Sequence, residues 1–483
     1  YYYPCEKLGD GIPDNQILCN FLRKQQKYAF KHLPREKRGF DAAIYNRHLE
    51  KIEWGDLFVF GQGDSGQLGL GPDVLEAAEP TFVKFDAPTV FKEVVSGGLH
   101  TVVLSHLGDV YSCGCNDEGA LGRPSPDDSE YYFKKIEFPK SVMIQKIAAG
   151  DSFSSALSTE GVVYAWGTFR DSNGPIGLKE AYKIEHKPVV FFNMPDFAVS
   201  INAGNNHLII LTTSGKIFTC GCAEDGQLGR LSHRLASNRG GRFGLKLLLT
   251  PTIVYLSGGA TPKELELKKH SSRVFGISSS KCASFAFLLD GRIFTWGLNN
   301  FKQLHPNLEE RIYFPVSMEG ALYKIYEPGK SMGYDIAGGV QHTVFVDYNN
   351  KPLAMGDCRD GRLGRIPCNY NDCSHDKSQP LPVHLASTHK VPIGIESSGA
   401  MQFHTVACGD ACTLVITGKG ELYSWGVGCN LQLGVGNGKD LYEATHVDVK
   451  SLSDQEVLYT SSGAQHSVII ARPRRVDSKD DLS

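Results

Sequence analysis

Seven copies of one short pattern dominate this chain. Each is an aromatic, β-branched stretch that ends on a small-residue step and runs into a glycine-rich loop. They read "GDLFVFGQGDSGQLG" from Gly55, "GDVYSCGCNDEGALG" from Gly108, "GVVYAWGTFRDSNGPIG" from Gly161 and "GKIFTCGCAEDGQLG" from Gly215. The remaining three are "GRIFTWGLNNFKQLH" from Gly291, "NKPLAMGDCRDGRLG" from Asn350 and "GELYSWGVGCNLQLG" from Gly420. Successive copies begin 53, 53, 54, 76, 59 and 70 residues apart. A repeat of that period is one supersecondary unit, too small to bury its own apolar face and stable only beside its neighbours.

Before every copy but the first lies an apolar run opened by small residues, such as "SGGLHTVVLS", "AGDSFSSALS" and "AGNNHLIILT". Runs of this length rich in Val, Ile, Phe and Tyr are strand sequence. Short turns such as "TEGV", "TSGK" and "LDGR" join run to copy, with glycine supplying the positive φ of a tight hairpin. The missing run is at the far end of the chain, "SSGAQHSVII" at 461–470. The first copy lacks a run and the last run lacks a copy, so the two are expected to share one blade. The sequence therefore predicts an all-β fold, a seven-bladed β-propeller closed by N- and C-terminal strands in one shared blade. Closure leaves no long free sheet edge, whereas an open solenoid would need polar caps that this sequence lacks. The ring is expected over 54–472, with an N-terminal extension at 1–53 and a tail at 473–483. Within the extension, "NQILCNFLRKQQKYAFKHL" has helical apolar spacing. Polar loops around 258–272 and 366–395 stretch two of the spacings. The chain opens on Tyr1 rather than Met, as expected of a trimmed chain or a fragment.

One copy breaks the pattern. In six copies the strand-ending glycine is followed eight residues later by a closing Gly or His. In the third, "GTFRDSNGPIG" at 167–177, the interval is ten. Ring closure requires no such extension.

Other chemistry is thin. "GQGDSG" at 61–66 satisfies the dinucleotide-binding glycine pattern, but "QLGLG" follows where that motif needs a helix. There is no P-loop, no nucleophile elbow and no zinc-protease motif. The pairs Cys113/Cys115 and Cys220/Cys222 recur at equivalent repeat positions and read as small strand-end residues, not a disulfide framework. Cys368, Cys373 and His375 in "CNYNDCSH" match no zinc spacing, so no metal and no cofactor are expected. His100, His207, His342 and His466 open the apolar runs of their blades, and are expected to line the narrow centre and bond neighbouring backbone. No stretch approaches 18 apolar residues, so no transmembrane helix is expected. Charge is uneven. Residues 1–54 carry ten Lys and Arg against seven Asp and Glu, a net of +3, which leaves −6 for the rest of a chain whose total is −3. A mildly acidic body with a basic arm suits a basic protein partner better than nucleic acid on the body.

The repeats "GQGDSGQLGLG", "CGCNDEGALGR" and "GCAEDGQLGR", with the long loop "GTFRDSNGPIGL" and "ASNRGGRFGL" at 236–245, resemble the regulator-of-chromosome-condensation family, propellers that exchange guanine nucleotide on the small GTPase Ran. The resemblance runs from about Gly55 to Ala471. It implies a disc with one face for the GTPase and the other for chromatin, a nuclear location, nucleosome histones and DNA as further partners, and neither covalent chemistry nor a small-molecule substrate. The long loop is similar to the family's wedge, which implies that Phe169, Arg170, Asp171, Ser172, Asn173 and Gly174 press on the phosphate-binding region of Ran. Matching positions carry Asp64, His100, Asp151, Arg230, Asn300 and His466 to the GTPase face. Arg239 and Arg242 of "NRGGR" match the loop that reaches the nucleosome's acidic patch, where guanidinium groups fork onto carboxylates. Two positions on the GTPase face depart from the family: Asn206 stands where an acid is usual, and Gln341 where a histidine is. Two alternatives stay open: a non-exchange interaction propeller of the same superfamily, and an enzyme with its site in the central channel.

Overall fold

A computed structural model describes residues 53–126, 128–256, 274–288, 292–318, 335–346, 352–365, 381–382 and 403–474. The helical reading of 15–33, the loops at 258–272 and 366–395, the Cys368/Cys373/His375 cluster and the tail beyond 474 lie outside those residues. Within them the chain forms seven four-stranded antiparallel sheets and one two-stranded hairpin. Blades are numbered here from the shared one, and strands run A to D from the axis outward. The second blade is typical: Phe91–Ser96, His100–Ser105, Val110–Gly114 and Lys134–Lys135, in that order across the sheet. Each A strand touches the A strands of both neighbouring blades, and the series returns to its start, so the ring is closed.

Closure happens where the sequence predicts it. In the first blade Gln455–Ser462 and His466–Pro473 come from the C-terminal end, and Asp56–Gln62 and Glu76–Phe82 from the N-terminal end. The junction is an unbroken antiparallel register from Asp56↔Ala471 through Phe58↔Ile469 to Gly61↔His466. Leu57, Val59 and Phe60 are buried there with Val468, Ile469 and Ile470. Strand pairing and apolar burial thus replace what would otherwise be two free edges.

Cohesion between blades has two sources. Trp166, Trp296 and Trp425 are fully buried at the ends of C strands, and each indole N–H donates to a loop carbonyl of the preceding blade: Ala120, Gln227 and Arg362 respectively. The closing glycine of the loop makes room for the ring. A Cβ on Gly229 would lie 2.7 Å from Trp296 Nε1, and its φ of +66° is left-handed. The second source is histidine. His100 Nε2 lies 2.8 Å from Ser154 Oγ, His207 Nε2 3.0 Å from Ser284 Oγ, His342 Nε2 3.0 Å from Thr413 Oγ1 and His466 Nε2 2.8 Å from Thr101 Oγ1, always on the next blade. Ser154, Ser284 and Thr101 already donate to the carbonyls of Ala120, Gln227 and Gln67. A hydroxyl has one proton, so the ring must be the donor in these three bonds. Burial pushes these four rings down to about 4 for His100 and about 3 for the others. For His100, His207 and His466 a backbone carbonyl is reached one step later, through the hydroxyl. Cys113, Cys115, Cys220 and Cys222 are free thiols, whereas Cys358 of the sixth blade is disulfide-bonded.

Candidate functional site

In an antiparallel blade the A–B turn and the C–D loop lie at the same end. The fourth blade shows it directly, since His207 at the start of strand B pairs with Gly221 at the end of strand C. All seven small-residue turns and all seven glycine-rich loops therefore open on one face. The long loop of the third blade belongs to it. Phe169–Asp171 pairs with Gly174–Gly177 as a two-stranded hairpin beyond the end of strand C.

The hairpin has a buried base and an exposed tip. Phe169, Ile176 and Leu178 are fully buried, and the Phe169 ring centre lies 4.5 Å from that of Phe153. Gly177 N–H donates to Thr168 Oγ1 at 3.1 Å, which fixes the neck. Ser172 and Asn173 are exposed, and Gly174, at φ +110° with no atom near its would-be Cβ, turns the tip in open space. Between base and tip, polar side chains tie the hairpin to both neighbouring blades. Arg170 pairs with Glu118 of the second blade. Its backbone N–H donates to Asn206 Oδ1 of the fourth at 2.9 Å. Ser172 gives both its N–H (2.9 Å) and its hydroxyl (2.6 Å) to Glu224. Asp171 receives Arg239 through two bonds of 2.6 Å.

Beside the hairpin the mouth of the axis is polar. Asn206 Nδ2 donates to Asp151 Oδ2 at 3.3 Å, and Lys281 Nζ lies 3.5 Å from Asp410 Oδ1. Burial pushes the Asp151 carboxyl up to about 6, although Lys281 and Arg170 pull the other way. Below the mouth a cavity of about 330 Å³ follows the axis, lined by A-strand residues that include Glu93, Lys146, Asp335 and Tyr459. On the rim the basic groups are already held: Arg311 by Asp225 at 3.0 Å, and Arg359 and Arg362 by Asp357 at 2.7 and 3.1 Å. Asp64 and Asp117 are exposed and have no ion pair among the described residues. The hairpin's own charges, Arg170 and Asp171, are both paired, while Asp64 and Asp117 nearby are exposed.

The expected site residues separate into two levels. Asp64, Arg170, Asp171, Ser172, Asn173, Gly174, Asp151, Asn206, Asn300 and Gln341 all lie on this face. Phe169, His100 and His466 lie beneath it, fully or almost fully buried. Arg230 is also turned inward, donating to Thr219 O and Leu247 O within its own blade. Burial lowers its pKa to about 10. Phe169, His100 and His466 are corrected from surface contacts to buried groups, because packing or hydrogen bonds below the surface already engage them, whereas Arg230 stays partly exposed. Asn206 and Gln341, the two departures from the family, are both engaged: Gln341 Oε1 accepts from Arg362 at 2.7 Å. Arg242 is exposed, with its guanidinium 4.8 Å over the Phe243 ring. Arg239 instead sits against the hairpin, on the GTPase face of the expected disc and not on the opposite one. Sequence reasoning missed Glu118 and Glu224. Their separation from Arg170 and Ser172 is 52 residues in both cases, close to one repeat, and that period was the available signal.

The family described as RCC1-like domain matches residues 56–469. The chain is 35% identical over 424 residues to the regulator of chromosome condensation of Xenopus laevis, covering 87% of this chain and 90% of that protein. It is 27% identical to the guanine nucleotide exchange factor SRM1 of Saccharomyces cerevisiae, covering 86% of each. Among solved structures it is similar to Prp20p from Saccharomyces cerevisiae, a protein with binding properties to Gsp1p and histones. That superposition has a TM-score of 0.73 at 25% identity and covers 90% of this chain and 96% of that one.

Proposed function

The chain belongs to the RCC1-like domain family, and from that premise we propose that it is a guanine-nucleotide exchange factor for the nuclear GTPase Ran, acting from chromatin and making no covalent bond. One observation carries the reading. The third blade's loop is a hairpin two residues longer than its equivalents, with a buried base, straps to both sides and an exposed tip. An object built that way can be pressed into a partner without collapsing.

The mechanism is a competition. A GTPase that holds its nucleotide at picomolar affinity does so with about −16 kcal/mol, so unaided release is slow. A partner that binds the nucleotide-free form better weakens the nucleotide by the same factor, because coupling is reciprocal. The tip at Ser172, Asn173 and Gly174 would occupy or distort the phosphate site, so tip and phosphates exclude one another. Asp64 and Asp151, at the rim and the mouth, would draw basic surface of the GTPase and speed encounter. Phe169, His100, His466 and Arg230 would act from below by holding these loops. Arg242, exposed on a glycine-rich loop, is the residue we assign to the acidic surface of histones.

A second reading, an interaction propeller without exchange activity, draws on Asn206 and Gln341. Both are spent on bonds within the chain and carry no charge to a partner. Release of labelled GDP from purified Ran, with and without this protein, decides between them. Acceleration in proportion to added protein is expected; release at the spontaneous rate, despite binding to Ran, would leave the interaction propeller.

A further inference from the structure

Arg239 reaches the hairpin from the fourth blade and is anchored on it. Its Nε lies 2.6 Å from Asp171 Oδ2 and its second terminal nitrogen 2.6 Å from Asp171 Oδ1, a side-on fork in which both planar groups are matched. The Asp171 side chain is only 3% exposed, and Arg239 is its ion-pair partner. Asp171 has a second task. Its Oδ1 also accepts Asn173 N–H at 2.9 Å, which closes the turn at the hairpin tip. Arg239 therefore aims the carboxylate that shapes the tip. The backbone points the same way. Arg239 has φ +48°, in the left-handed region that disfavours a residue with a Cβ. Gly240 and Gly241 follow at +85° and +57°. Glycine would occupy position 239 without strain, yet the residue there is an arginine whose guanidinium ends on Asp171, with Tyr182 Oη 3.4 Å away. Its neighbour Arg242 has no such anchor in the hairpin and stands in solvent.

Resting on the reading of the hairpin as the exchange element, we propose that Arg239 is a positioning residue for nucleotide exchange, which holds the tip at Ser172–Gly174 in shape through Asp171 and is not a free contact for an acidic partner. Its loss leaves the contact surface in place and lets the tip wander. The effect belongs in the maximal rate of nucleotide release and not in the affinity for the GTPase. Lysine is a poor substitute, because an ammonium is a point charge and cannot fork onto both oxygens.

The test is GDP release from Ran over a range of Ran concentrations with wild type, Arg239→Ala, Arg239→Lys, Asp171→Ala and the Asp171→Ala/Arg239→Ala pair. Arg239→Ala is expected to lower kcat about tenfold, as misplacement of a preorganised group does. KM should stay within about twofold and melting within a few degrees. Arg239→Lys should recover part of kcat, and the double variant should lose no more than Asp171→Ala alone. A wild-type kcat in Arg239→Ala, a loss confined to KM, or additive losses in the double variant would overturn the proposal. Should wild type itself fail to accelerate release, the exchange reading falls instead. Amide hydrogen exchange across 169–177 then decides the brace on its own, and unchanged protection in Arg239→Ala overturns it.

Discussion

The C–D loops of the third and fourth blades leave equivalent strand ends and solve opposite problems. The fourth closes on itself: Gln227 Oε1 accepts the N–H of Asp225 at 2.9 Å, two residues earlier in the same loop. Gln67, Gln303 and Gln432 do the same for Ser65, Phe301 and Asn430, each at 2.9 Å. These glutamines are buried, and three of their carbonyls also receive a hydroxyl from the next blade. The third loop has no such glutamine. Its polar groups reach outward to Glu118, Asn206, Glu224 and Arg239 on other segments. One kind of loop spends its polarity on its own turn and on ring cohesion. The other spends it on holding a projecting tip. The lesson is that ring cohesion and a projecting tip are assigned to different copies of one repeat.

The widest separation between the two should come from acid. The four buried rings titrate near 3 to 4 in the folded chain, against about 6.5 when unfolded. Above pH 6.5 they are neutral in both states and their contribution is intact. As pH falls through 6.5 the unfolded chain takes up protons that the ring refuses, so stability is lost progressively toward pH 3–4. Asp151 and Asp335, raised to about 6, act in the opposite sense and add stability as pH drops below 6. Four histidines outweigh two acids, and the net loss between pH 7 and pH 5 should be on the order of 5 kcal/mol at about 1.4 kcal/mol per unit. Urea titrations at the two pH values measure it; a flat profile would mean that the rings do not hold the blades together.

Next in size is the hairpin itself. Cutting residues 170–174 back to the length of the other loops should reduce stimulated GDP release from Ran about 100-fold, a loss typical of removing a positioned element. The melting temperature should move by no more than a few degrees, since the ring does not use the tip. A large fall in melting would erase the distinction drawn above. The converse variant, Gln432→Ala, orphans Asn430 N–H and should cost about 1–3 kcal/mol of stability by chemical denaturation. GDP release per folded molecule should match wild type; reduced release would show that clasp and hairpin are not independent. Smallest of the four is Asn206→Ala, which removes one strap and one partner of Asp151. A loss of about fivefold in release, near 1 kcal/mol, is expected for one such bond. No loss would leave Glu118, Glu224 and Arg239 as the sufficient supports.

Much of this was legible in the residues. The ring, its blade number and the shared first blade follow from glycine spacing and an apolar run displaced to 461–470, and the register Asp56↔Ala471 realises them. The extra length of the third loop followed from counting, because 167–177 is two residues longer than its six equivalents, and its hairpin form was implied by the family resemblance. The level of each residue was harder to read. His100 and His466 sit in the same small-residue turns as Asp151, yet their rings point inward to hydroxyls while Asp151 stands at the mouth. Residue type and position could not separate these, since the direction of one side chain depends on what the next blade offers. Arg230 went the same way, taken up by carbonyls of its own blade.

The sequence by itself therefore determined what repeats: strand order, loop ends, closure and the one loop that exceeds the period. Those properties are local or periodic, and each copy testifies for the others. Tertiary structure alone decided what occurs once. Asp171 and Arg239 are 68 residues apart, with no period to relate them. They meet because ring curvature brings the third blade's hairpin against the long connection of the fourth, and only there does a strained arginine find the carboxylate that justifies it.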